Sequence, residues 1–371
     1  MDFSLTEEQV LLRDSIEKFI REHCDVERHR RLLRSSPGYD PETWRTFAEL
    51  GWLCMPFSEA QGGFGGGAVD IMVMAEAMGK GLIREPFLPT VVTCGGFLQC
   101  AGDEAQQDRY ISGIISGQSQ WAFAFAEHGS GYDMSRPGVR AESGSPGYIL
   151  SGTKLSVLNG ASADFLIVTA ATEAGPSLFV VDASQPGVRR ESFMAVDGSY
   201  AAHVHFDQVA LAPEQLLGVA GEANSYIDQV LARTMVAMGA EALGAMQVLL
   251  DTTVEYTRTR EQFGQPIGKF QALQHRMADM HLKIEETRSL LLNAAILLDE
   301  GSEEAVAACL ALKVKFAETG RLVSQEAVQL HGGIGMTDEL SVGHYFKRLM
   351  LLGLLYGDED HCLERYMALT A

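Results

Sequence analysis

Arg260-Glu261-Gln262-Phe263-Gly264-Gln265-Pro266-Ile267 sets a guanidinium and an aromatic ring three residues apart. Arg grips a phosphate with two parallel hydrogen bonds, and Phe stacks on a flat ring. Further on, Gln329-Leu330-His331-Gly332-Gly333-Ile334-Gly335 offers an amide side chain and glycines that let a ligand approach backbone N–H groups. Taken singly, the first segment is also compatible with a helix end carrying a surface ion pair and a packed Phe, and the second with a helix C-cap. Their joint occurrence, in this order, is the more specific signal. A third candidate is Glu241, the one carboxylate in the apolar run Val236 to Leu250. A buried carboxylate there would suit proton abstraction, and the competing reading is a structural salt bridge.

These residues need elements to hold them. The helix leading into Arg260 is expected to start near Ser225 and to end at Gly264, with Pro266 forcing a turn. Further helices are expected over Phe270–Gly301 and Glu303–Leu330. Near the start, Thr6 and Gln9 form a capping-box pattern, followed by Val10, Leu11, Ile16, Phe19 and Ile20 at helical spacing. The Gly62–Gly67 stretch lacks the Lys-Ser/Thr pair of a phosphate loop and reads as a turn before another helix. Between the helical blocks, Tyr148-Ile149-Leu150, Phe165–Val168 and Leu178–Val181 are short branched runs bounded by turn residues, which predict strands. The order gives an α+β multidomain chain: an N-terminal helical domain (1–120), a central antiparallel β domain (121–220) and a C-terminal domain resembling a four-helix bundle (221–371).

Composition narrows the partners. The 371 residues are 46% hydrophobic, enough for several cores, and the formal net charge is −20. Such a surface repels nucleic acid and anionic membranes, so neither is expected as a partner. No stretch has the length of a membrane span. Met1-Asp2-Phe3-Ser4-Leu5 shows no basic region before an apolar run, so no signal peptide is expected. Cys24, Cys54, Cys94, Cys100, Cys309 and Cys362 form no CxxC pair. They read as free thiols of a cytoplasmic protein, and no metal site is expected.

The segments Arg260-x-x-Phe263-Gly264-x-Pro266-Ile267, Phe270-Gln271, Ala278-Asp279-Met280 and Gln329-x-x-Gly332-Gly333-x-Gly335 resemble the acyl-CoA dehydrogenases. So do Thr6–Gln9, Gly51-Trp52 through Gly62-Gly63, and Gly152-Thr153-Lys154 with Asn159-Gly160-Ala161. The resemblance spans essentially the whole chain. It implies a tetramer, homomeric or heteromeric, an acyl-CoA substrate and FAD as cofactor, with an electron-transfer flavoprotein as acceptor. It further implies that Arg260, Phe263, Gln329, Leu330, Gly332 and Gly333 hold the ADP part of an FAD bound mainly to a neighbouring subunit.

The other half of the family's flavin site departs from the pattern. Where the family has T-E-P-G-x-G-S-D, this chain reads Ala126-Glu127-His128-Gly129-Ser130-Gly131-Tyr132-Asp133. Where it has W-I-T-N-G, the chain reads Ser156-Val157-Leu158-Asn159-Gly160. Ala126 and Leu158 remove two hydroxyls, and each lost hydrogen bond is worth about 1 kcal/mol. The family's base is a Glu near the C-terminus, and Tyr356 stands at that place. Other members carry the base on the helix after the β domain, at a place aligning with Thr234, about two turns from Glu241. Met235 falls where relatives carry a substrate-side Arg, with Arg233 adjacent. The cluster Asp358, Glu359, Asp360 and His361 reads as a helix start. Three readings follow. The chain is the small, flavin-poor subunit of a heteromeric dehydrogenase of the pimeloyl-CoA or steroid side-chain type. Alternatively it is a self-sufficient homotetramer using Glu241, or a non-catalytic scaffold.

Overall fold

A computed structural model describes residues 4–144 and 147–370, so Met1, Asp2 and Phe3 of the segment bearing on a signal peptide lie outside it. Helices α1 (Glu7–His23), α2 (Val26–Leu33), α3 (Pro41–Glu49), α4 (Ala68–Lys80), α5 (Gly95–Ala101) and α6 (Glu104–Ile115) come first. Strands β1 (Trp121–Ala124), β2 (Arg140–Ser143), β3 (Tyr148–Leu158), β4 (Phe165–Thr172), β5 (Gly175–Asp182), β6 (Val188–Met194), β7 (Tyr200–Leu211) and β8 (Leu216–Leu217) follow. Helices α7 (Ala223–Thr259), α8 (Gln271–Asp299), α9 (Ala305–His331), α10 (Val342–Leu354) and α11 (Glu359–Thr370) complete the chain.

The chain packs as two compact units that interleave in sequence. One comprises residues up to 34, then 67–83, and everything from 235 onward. Its α1 starts on the predicted capping box: Gln9 N–H donates to Thr6 Oγ1 at 3.2 Å, and Thr6 N–H to Gln9 Oε1 at 3.0 Å. Helix α4 crosses α7 very closely. A Cβ on Gly79 would lie 2.1 Å from the Glu241 carbonyl oxygen, and one on Gly244 would lie 2.0 Å from that of Glu76. Only hydrogen side chains allow that approach. Helix α9 packs on α8, α10 and α11. Among the described residues no helix is long and apolar enough to cross a membrane.

The other unit comprises residues 35–66 and 84–234. Its sheet runs β6-β7-β3-β2-β4-β5-β8, with β1 beside β4. The expected antiparallel domain is in fact mixed, because β1 pairs with β4 in parallel, as β2 does at Arg140. The sequence runs gave the strands but not their directions, which depend on connections. Leu150, Leu166, Val168, Phe179, Val181, Val204 and Val209 fill its core. A fully buried π-helical turn, Leu88–Cys94, precedes α5.

Candidate functional site

The segment around Arg260 differs from its expected form. Helix α7 stops at Thr259, not Gly264, and Glu261-Gln262 pairs antiparallel with Gln265-Pro266. Phe263 and Gly264 close this hairpin at φ +54° and +77°, the pattern of a type I′ turn. The physical reason is that Pro266 cannot continue a helix, and Gly264 accepts a left-handed backbone at no steric cost. A bulky aromatic at positive φ is a true outlier. Its ring is 90% exposed, with an edge contact to Phe270 at 6.0 Å between centroids. Burial within the chain therefore offsets little of the strain. Arg260 is exposed too, and its guanidinium has no hydrogen-bond or ion-pair partner among the described residues.

Helix α9 brings the second motif to the same end of its unit. The ring of His331 stacks on Tyr256 of α7 at 4.4 Å and 25°. Tyr256 in turn accepts the Arg260 N–H at 2.8 Å. His331 Nδ1 sits 2.8 Å from the Ala327 carbonyl, and burial lowers its pKa. Gln329 is exposed while Leu330 packs inward. Gly332 ends the helix at φ +67°. A Cβ on Gly333 would meet nothing within 4 Å and its φ is ordinary, so packing inside the chain gives no reason for a glycine there. An external group approaching this backbone would give one.

The unit containing the sheet holds the divergent loop. Glu127 accepts from Lys154 Nζ at 2.5 Å, from Gly138 N–H at 2.5 Å and from Val139 N–H at 3.1 Å. Lys154 Nζ also donates to Phe125 O and to Thr169 Oγ1. Its side chain is fully buried, and burial pulls its pKa down to about 8 against the opposing pull of Glu127. These two residues thus pin the loop from Phe125 to Val139 on the sheet. Ser156 lies in a bulge between the Lys154 and Val157 pairings of β3, at φ +49°, with its N–H donating to His203 Nδ1 at 3.1 Å. The loop and bulge are fixed on the sheet by these bonds, but Ala126 and Leu158 present no hydrogen-bonding side chains there.

The proton-acceptor candidates fall apart in space and chemistry. Glu241 does not stand as a free carboxylate: Arg348 of α10 grips it with Nε to Oε1 at 2.6 Å and Nη2 to Oε2 at 3.0 Å. Both side chains are largely buried, at 13% and 16% exposure. A carboxylate with both oxygens turned onto a guanidinium is poorly placed to take a proton from a substrate. Thr234 is fully buried and donates to the Val230 carbonyl at 2.8 Å, beside Thr93 Oγ1 at 3.3 Å. Met235 is buried and Arg233 half-exposed. Tyr356 is buried at φ +59°, and Asp358 accepts the His361 N–H at 2.9 Å. Glu359 pairs with Arg321 at 2.9 Å, so this acidic run starts a helix. Sequence reading missed Arg348, whose only signal is its place with Lys347 immediately before the apolar run Leu349–Leu355.

Family profiles match along the chain: acyl-CoA dehydrogenase, N-terminal domain over residues 6–118, middle domain over 122–209 and C-terminal domain over 224–367. The chain belongs to the acyl-CoA dehydrogenase family, a family of oxidoreductases. It is 30% identical over 369 residues to mitochondrial isovaleryl-CoA dehydrogenase of Pongo abelii, covering 96% of this chain and 87% of that protein. Its fold is similar to the ChsE4-ChsE5 complex from Mycobacterium tuberculosis, with TM-score 0.92 and 28% identity over 99% of this chain and 98% of that one. It is also similar to PigA with FAD and proline, with TM-score 0.93, 27% identity and full coverage of both chains at 100%.

Proposed function

We propose that this chain is the flavin-poor subunit of a heteromeric, FAD-dependent acyl-CoA dehydrogenase, lending contacts for the ADP end of FAD to a partner subunit. One observation carries the reading: Phe263 is held in a strained backbone and 90% exposed, beside an Arg260 with no partner among the described residues. Such an arrangement makes sense if something outside the chain covers it. Arg260 would take a phosphate, Phe263 the flat base, and Gln329 with the Gly332-Gly333 backbone further polar groups. The ADP half of FAD therefore fits the residues present. The isoalloxazine half does not fit at Ala126 and Leu158, and Tyr356 supplies no carboxylate. Bound in the complex, FAD would supply the hydride acceptor for α,β-dehydrogenation of an acyl-CoA, which also needs a base for the α-proton. That base belongs to the partner. An electron-transfer flavoprotein is the proposed acceptor, and the free thiols fit a cytoplasmic setting.

An absorbance spectrum tests this reading. Purified alone, the chain should be nearly colourless. Co-expressed with its dehydrogenase partner, it should carry flavin bands and reduce an acceptor with acyl-CoA. A fully yellow isolated chain, active by itself, would favour the homomeric reading.

A second expectation concerns Phe263→Gly. Relieving a left-handed aromatic should stabilise the isolated chain by about 1 kcal/mol in chemical denaturation. The same change should weaken flavin retention by the assembly. Opposite signs mark a residue kept for a ligand; a loss of stability would mark one kept for packing.

A further inference from the structure

Lys313 of α9 is fully buried, yet no carboxylate lies within ion-pair distance of it among the described residues. Its Nζ donates instead to the carbonyls of Leu352 at 2.5 Å and Gly353 at 2.9 Å, and lies 4.8 Å from the Phe316 ring centroid. Those carbonyls belong to the last turn of α10, where no helical N–H is left to satisfy them. A cation there also faces the negative end of the helix dipole. Immediately beyond stand Tyr356 at φ +59° and Gly357 at φ +135°. The turn is packed tightly, since a Cβ on Gly357 would lie 2.9 Å from Cys362 Sγ.

We propose that Lys313 is a positioning residue, its Nζ clamping the end of α10 through N–H donors to the Leu352 and Gly353 carbonyls and so fixing the Tyr356–Gly357 turn, where the family's proton-abstracting Glu stands. This goes beyond the flavin-sharing reading and does not rest on it. The clamp also responds to pH. Burial pulls the Lys313 ammonium down to about 7, against Cys362 and Glu359 of α11 and Asp358 of the turn, which all favour the charged form. From α10 it meets the two carbonyls. If the turn opens, water reaches the amine and its pKa returns toward about 10.4. The opened turn then holds more protons than the closed one between these values. Opening is therefore favoured by acid, and the closed turn gains as pH rises above about 7, where the neutral amine keeps two N–H donors for the two carbonyls.

Hydrogen exchange of the amides from Leu351 to Gly357 in the full chain tests the clamp. In the wild type, protection corrected for intrinsic exchange should rise toward tenfold per pH unit between about pH 7.5 and 9. In Lys313→Met, two carbonyls lose their donor, so protection should fall about tenfold and lose its pH response. Flat wild-type protection over that range would overturn the proposal, and so would a pH response retained in Lys313→Met. Should the variant fail to fold, the wild-type profile decides alone.

Discussion

Replacing Arg260 by Ala should lower flavin retention of the co-expressed assembly roughly 10- to 100-fold while leaving the chain's own stability almost unchanged. The guanidinium is exposed and without a partner among the described residues, so its removal breaks nothing inside the chain. An exposed substitution of that kind shifts stability by no more than about 0.5 kcal/mol. A charged two-pronged hydrogen bond to phosphate contributes about 1.5–3 kcal/mol, which sets the expected loss. Arg260→Lys should recover part of it, because an ammonium keeps the charge but not the fork. Flavin fluorescence after dialysis of the assembly, beside a denaturation curve of the isolated chain, measures both. Unchanged retention in Arg260→Ala would remove the shared site. Because the ring-side losses fall on Ala126 and Leu158 of this chain, each flavin should follow a partner chain, with the isolated subunit binding little.

Long periodic helices were the most readable part of the chain. The Thr6–Gln9 capping box and the body of α7 formed as expected, though α7 stops at Thr259, because their signals are local and repeated over many turns. The hairpin after α7 was not readable. Nothing in local propensity puts a Phe at positive φ, and the twist of two paired strands imposes it. Strand identity in the sheet was visible in branched residues, but the parallel pairing of β1 with β4 depends on contacts between segments far apart. The same holds for the two units, one of which gathers residues before 34, from 67 to 83 and after 235. Of the candidate site, the order and spacing of Arg260, Phe263, Gln329 and the glycines were legible, but the exposure and left-handed backbone of Phe263 were not. Glu241 was legible only as an oddity. Whether a lone carboxylate is a base or a strut depends on what faces it, and Arg348 comes from another helix more than a hundred positions later.

That ambiguity has a decisive test in Glu241→Gln. Since Arg348 binds both carboxylate oxygens and both side chains are mostly buried, removing the charge strands a guanidinium in a poorly solvated site. Breaking one side of such a pair should cost about 2–4 kcal/mol, somewhat less than full truncation because Gln still accepts one hydrogen bond. The thermal midpoint should fall by several degrees, and activity of the assembly should fall only with the folded fraction. A base would behave the other way: activity lost about a hundredfold or more at an unchanged midpoint. The double change Glu241→Gln with Arg348→Met separates the cases further. It removes the stranded charge, so much of the stability lost in the single variant should return. A strut tolerates that exchange, whereas a lost base could not be restored by altering its neighbour.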